Sequence, residues 1–126
     1  MTDVRIILDT SAILAYATGS IHVGEVIAEV ADEGADFALP LPCLIEAGRR
    51  SPVEDLSGVY LLESHQHGTV LADRPEEWRA TAGLARALGR VDLAAALLAA
   101  QDHSAYILTA EPDAYGDPGR SVVIPI

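Results

Sequence analysis

The chain has 126 residues, with eight basic and nineteen acidic side chains and a formal net charge of −11. All eight basic residues are Arg and Lys is absent, which excludes a Schiff-base lysine, a Gly-Lys-Ser/Thr phosphate loop and a receiver domain with its lysine. Cys43 is the single cysteine, so an internal disulfide and a multi-cysteine metal site are excluded, and a reduced cytoplasm suits it.

Val4-Arg5-Ile6-Ile7-Leu8 is a nearly continuous apolar run ending at Asp9, the pattern of a strand buried on both faces of a parallel sheet. Met1 to Asp9 lacks the pattern of a signal peptide. Ser11 to Ala17 reads as a short helix. Ile21 to Glu33 carries Val23, Val26, Ile27 and Val30 at helical spacing, with Gly34 placed to end it. Asp36 to Leu39 is a second strand. Pro40 and Pro42 bracket a turn, and Cys43 to Arg50 reads as a helix with Pro52 beyond it. Leu56 to Ser64 is a weaker helix, and Gly68 to Leu71 a third strand. Arg74-Pro75-Glu76-Glu77 opens a helix that runs to about Leu88 and stops at Gly89. Val91 to Ser104 is an Ala-rich helix with Asp92 in its first turn. Tyr106 to Thr109 is a fourth strand, Glu111-Pro112-Asp113 a turn, and Val122 to Ile124 a terminal strand.

Strands alternating with helices imply a three-layer α/β domain with a mostly parallel sheet. The length suits one domain over residues 1–126. Half the residues are apolar, yet no run approaches the roughly 20 needed to span a bilayer.

The acids fall in a pattern. Sites in open α/β sheets lie outside the carboxyl ends of the strands. Asp9 directly follows the first strand, Glu111 lies two residues after the fourth, Asp92 opens the helix feeding the fourth, and Glu46 sits early in the helix after the second. Clustered carboxylates repel, and a hard cation such as Mg²⁺ or Mn²⁺ gives them a shared purpose. Such an ion activates water and supports in-line phosphodiester cleavage. Asp9, Glu46 and Asp92 are therefore expected to converge in one accessible pocket. Relief of their repulsion should leave an Asp9→Asn variant level or raised in stability. Asp9 before Thr10-Ser11 also suits a helix cap, which is compatible with metal binding. The competing reading of each acid is a solvated surface group, for nineteen are available. The charge of −11 argues against broad nucleic-acid affinity but not against a local site that meets it through cations.

In this order the residues resemble a family. Ile7-Leu8-Asp9-Thr10-Ser11-Ala12-Ile13-Leu14 is similar to the opening motif of PIN-domain ribonucleases, including VapC-type toxins of bacterial toxin–antitoxin pairs. Leu39-Pro40 through Leu44-Ile45-Glu46-Ala47 resembles their second-acid helix. Asp92-Leu93-Ala94-Ala95-Ala96, followed by Tyr106 through Glu111, resembles their third and fourth acidic positions. The resemblance implies a three-layer α/β/α fold with four or five parallel strands, and cytoplasmic, Mg²⁺- or Mn²⁺-dependent RNA cleavage. It also implies a homodimer and a cognate antitoxin; an Arg or Lys entering the acidic pocket is the obvious physical means of blocking the site. Carried over by position, Asp9, Glu46 and Asp92 form the acidic core, with Thr10 or Ser11 orienting a ligand. At the fourth position the family usually has Asp and this chain has Glu111, one methylene longer, with Asp113 nearby. That departure and the net charge keep a second reading open, a catalytically weak or inactive PIN-like module acting through protein contacts. An Asp-nucleophile phosphatase fits less well, because it wants a second Asp where Ser11 stands.

Other groups have plainer readings. Arg79, Arg86 and Arg90 fall within about 40° on a helical wheel, a solvated face or a phosphate track, provided Gly89 does not end the helix before Arg90. Arg49-Arg50 suits a helix C-terminus or a phosphate. His65 and His67 read as an exposed loop pair, His22 and His103 as surface or capping groups, Cys43 as a buried filler, and Trp78 and Tyr106 as core or interface.

Overall fold

Residues 3–126 are described by the computed structural model. Met1 and Thr2, which begin the segment read above for a signal peptide, lie outside them. Val4–Leu8 is β1, and all but Arg5 of its side chains are buried. Arg5 turns outward to pair with Asp3 and Glu33. Helices α1 (Thr10–Ala17) and α2 (Ile21–Asp32) follow. Then come β2 (Asp36–Pro40), α3 (Leu41–Arg50), α4 (Leu56–Glu63) and β3 (Gly68–Leu71). The second half holds α5 (Trp78–Leu88), α6 (Val91–His103), β4 (Tyr106–Thr109), α7 (Gly116–Gly119) and β5 (Val123–Pro125).

The five strands form one parallel sheet in the order β3-β2-β1-β4-β5. Helices cover it as a three-layer α/β/α arrangement. Ile7, Leu8, Phe37, Leu39, Ile107 and Leu108 are fully buried in its centre, which is why these strands read as unbroken apolar runs rather than alternating ones. Ile13, Leu62, Leu93 and Leu97 seal the sheet from the helices. Among the described residues no single helix is long and apolar enough to cross a membrane.

The strand order decides where a site can lie. From β1 the chain moves toward β2, whereas from β4 it moves toward β5. The loops leaving these two adjacent strands diverge, and a crevice opens at their carboxyl ends. Asp9 and Glu111 follow those two strands.

Several local expectations are corrected. Helix α3 begins at Leu41, with Pro42 inside its first turn, where a missing N–H costs nothing. The turn at Glu111-Pro112-Asp113 continues as a 3-10 turn over Pro112–Tyr115 and into α7. Gly89 adopts φ +85° and ends α5, so Arg90 leaves the Arg79–Arg86 face altogether. His65 and His67 are half-buried rather than exposed. The His65 ring meets Phe37 edge-on at 5.2 Å, its Nδ1 accepts the His67 N–H at 3.0 Å, and His67 reaches Asp36 at 3.3 Å. Trp78 and Tyr106 lie outside the core, 64 % and 52 % exposed.

Candidate active site

Asp9 caps α1 from an extended backbone. Its Oδ1 accepts the Ala12 N–H at 3.0 Å and the Ser11 hydroxyl at 2.7 Å, and its Oδ2 accepts the Tyr115 hydroxyl at 2.7 Å. The residue is 1 % exposed. Three donors satisfy a carboxylate that burial would otherwise penalise. The Tyr115 hydroxyl is held far above its ordinary pKa, first by burial and then by the Asp9 charge and hydrogen bond; it is a fixed donor.

Hydroxyl protons order the rest of this corner. Ser11 has one hydrogen, and the Asp9 carboxylate can only accept it. In the 3.2 Å contact between Ser11 and Thr109, Thr109 is therefore the donor. Ser11 Oγ also accepts the Ala110 N–H at 2.8 Å, and Thr109 Oγ1 accepts the Glu111 N–H at 2.9 Å. The end of β4 is thereby tied to the start of α1, and Glu111 is fixed through its backbone.

Asp92 stands in the first turn of α6 and is 7 % exposed. Its Oδ2 accepts the Thr10 hydroxyl at 2.6 Å and Arg90 Nη2 at 2.8 Å, and its Oδ1 accepts Arg90 Nε at 3.1 Å. Burial pushes its pKa up, but the hydrogen bonds from Arg90 and Thr10, with the charges of Arg90 and Arg50, outweigh it and hold the carboxyl below its usual range. Arg90 Nη1 also donates to Glu111 Oε2 at 3.0 Å. Glu111 is thus held by a guanidinium. Cys43 Sγ donates to the Asp92 carbonyl at 3.2 Å, joining α3 to α6. Burial, and then Asp9 and Asp92, keep that thiol protonated.

Glu46 lies on α3 and takes donors from Arg49 and Arg50, Arg50 Nε at 2.9 Å. These hydrogen bonds, Arg49's first, hold its pKa down to about 2. A depressed carboxyl stabilises the fold above its unfolded pKa of roughly 4.3, and that contribution is lost as pH falls through the folded value. Thermal melts should therefore show a small wild-type advantage over Glu46→Gln at pH 6 that shrinks below about pH 4 and is gone only below about pH 2.

Glu46 and Asp92 line one open groove of about 410 Å³, with Pro42, Ile45, Arg50, Arg90 and Val91. Asp9 is not on its wall; it lies beside it, one residue from the Thr10 that bonds Asp92. Glu111 joins through Arg90. Asp113 is exposed. Among the described residues no three His, Cys, Asp or Glu side chains come close enough together to hold a metal ion in this arrangement. The donor chemistry nonetheless suits a hard cation. It is all oxygen, and a positive group, the Arg90 guanidinium, already sits between Asp92 and Glu111.

Sequence reasoning missed Tyr115 and the role of Arg90. Nothing periodic marks Tyr115. Its seat shows only in three dimensions, where any Cβ on Gly119 would collide with the Tyr115 Cβ. Tyr115→Phe should leave Asp9 Oδ2 buried without its donor and cost about 1–3 kcal/mol, read as a lowered melting temperature.

No family model matches the chain, and no curated protein matches it. Solved structures do. PAE2754 from Pyrobaculum aerophilum superposes with a TM-score of 0.64 at 17% identity, over 96% of this chain and 83% of that one. The sarcin-ricin loop cleaving toxin VapC20 of Mycobacterium tuberculosis does so with a TM-score of 0.64 at 16% identity, over 97% of this chain and 98% of that one. Identities this low speak for architecture alone. With the five-stranded parallel sheet and its helical layers, they show that the chain has the PIN/VapC-type fold.

Proposed function

We propose that the protein is a Mg²⁺- or Mn²⁺-dependent endoribonuclease, the toxin of a toxin–antitoxin pair, working in the cytoplasm as one domain. The observation that carries this is the chain of hydrogen bonds that links Asp9 through Ser11 and Thr109 to Glu111, and Glu111 through Arg90 to Asp92, at the β1–β4 crevice, with Glu46 on the groove that Asp92 lines. The likeness in fold to a toxin that cleaves the sarcin-ricin loop supports RNA as substrate.

Asp9, Glu46 and Asp92, completed by Glu111, would hold the ion only after they draw closer than they stand here and Arg90 releases Asp92 and Glu111. The chemistry such an ion supplies is water of lowered pKa and charge stabilisation for an in-line displacement leaving 5′-phosphate and 3′-hydroxyl ends. The chain's own residues do the positioning. Ser11 and Tyr115 fix the Asp9 carboxylate, Thr10 aims Asp92, and the Ser11–Thr109 pair sets the backbone of Glu111. Arg50 and Arg90 supply the positive charge that a net −11 chain needs near an RNA backbone. Exposed Ile45 and Val91 on the groove wall support a protein partner there; we assign that partner as an antitoxin, and the protein itself as a homodimer.

The second reading, a weak or inactive PIN-like module acting through protein contacts, has one observation in its favour. Every acid of the site is already paired with a donor from the chain itself. The two readings part on one assay. Wild type with single-stranded RNA should cleave in Mn²⁺ and stop in EDTA, and Asp92→Asn should cleave in neither; equal RNA loss by both proteins would favour the inactive module.

A further inference from the structure

Arg90 occupies an odd position. It precedes the first turn of the thirteen-residue helix α6 with extended backbone, φ −147° and ψ 138°, and caps nothing with its side chain. A cation there faces the positive end of the helix dipole, which is unfavourable. Its presence is explained by what it touches. Nε and Nη2 fork onto both oxygens of Asp92, and Nη1 reaches Glu111 at 3.0 Å. Three of its five N–H groups are spent on two carboxylates, yet the side chain remains 30% exposed at the groove.

A guanidinium and a divalent ion cannot share those oxygens, since two like charges at contact distance repel strongly in a partly buried place. The same planar fork that fits a carboxylate fits a phosphate. We propose that Arg90 is the resident cation of the acidic groove: a divalent ion displaces it from Asp92 and Glu111, and the freed guanidinium then binds the backbone phosphate of the nucleic acid. This rests on the nuclease reading above and adds to it an order of events, ion first and phosphate contact second. Glu111, longer than Asp, is the arm that lets Arg90 bridge the two acids. Ion and nucleic acid thereby bind with positive coupling through one side chain, and the coupling is reciprocal.

The test is a calorimetric Mn²⁺ titration of wild type, Arg90→Gln and Arg90→Lys, each checked for folding by thermal melt. Arg90→Gln should bind Mn²⁺ at least about tenfold tighter than wild type, a change of about 1.4 kcal/mol. Arg90→Lys, a point charge without the fork, should fall between them. Binding of a single-stranded oligodeoxynucleotide, followed by fluorescence anisotropy, gives the second half. The ratio of wild-type to Arg90→Gln affinity should be several-fold larger in Mn²⁺ than in EDTA. If wild type binds Mn²⁺ and Arg90→Gln binds it equally or more weakly, Arg90 is no competitor and the proposal is overturned while the nuclease reading stands. An affinity ratio that is the same in Mn²⁺ and in EDTA overturns the phosphate step. If neither protein binds Mn²⁺, the metal reading itself fails and the proposal goes with it.

Discussion

Asp9→Asn should bring Mn²⁺-dependent RNA cleavage to background, a loss on the order of a hundredfold or more, and should also lower the melting temperature. The second effect runs against the expectation from sequence. Clustered acids suggested repulsion that an amide would relieve. In the structure Asp9 is instead a buried carboxylate with three donors aimed at it, from Ser11, Ala12 and Tyr115. Asn keeps an acceptor for the α1 cap. It presents an N–H₂ to the Tyr115 hydroxyl, which must turn to accept and loses the acceptor for its own hydrogen. Hydrogen bonds to charged groups are worth about 1.5–3 kcal/mol. A net loss of about 1–2 kcal/mol, a fall of roughly 3–10 °C, is expected by calorimetry. A rise in melting temperature would restore repulsion as the governing term.

Gly58→Ala should be a strongly damaging single methyl where α4 meets α1. Gly58 lies in α4 where it crosses α1. An added Cβ would lie 2.7 Å from the Ala17 Cα and 3.1 Å from the Ala17 carbonyl oxygen. Those are backbone atoms, so no side-chain rotation relieves the clash, and the two helices must move apart. Overpacking of this kind costs about 1–3 kcal/mol, or roughly 3–15 °C in melting temperature. Because α1 begins with Thr10 and Ser11, displacement should reach the site as well. Gly24→Ala, with nothing within 4 Å of its added Cβ, is the matched control and should be level or slightly stabilised.

The fold was legible because its strands are buried on both faces. Val4–Leu8, Asp36–Pro40 and Tyr106–Thr109 announce themselves as short apolar runs, and the alternation with helices leaves few topologies. Positions of acids after strands were legible for the same reason. Side-chain partnership was not. Whether Arg90 continues the face of Arg79 or turns to Asp92 depends on one residue, Gly89, taking a positive φ, and whether it reaches Glu111 depends on β4 lying next to β1. Tyr115 reaches Asp9 across 106 positions of chain, a separation to which local periodicity is blind. His65 and His67 looked like a solvent loop because the segment is polar, and it is the ring of Phe37 beneath that draws His65 in.

The products of one reaction give the most direct test of hydrolysis at the acidic groove. Purified wild type is incubated with total RNA in Mn²⁺ and, in parallel, in EDTA, and newly formed 5′ ends are captured by ligation that requires a 5′-phosphate. Discrete 5′-phosphate ends should accumulate with time in Mn²⁺, be absent in EDTA, and be absent for Asp9→Asn in both. Ends that carry 5′-hydroxyl, or that form equally in EDTA, would contradict hydrolysis at an acidic metal site.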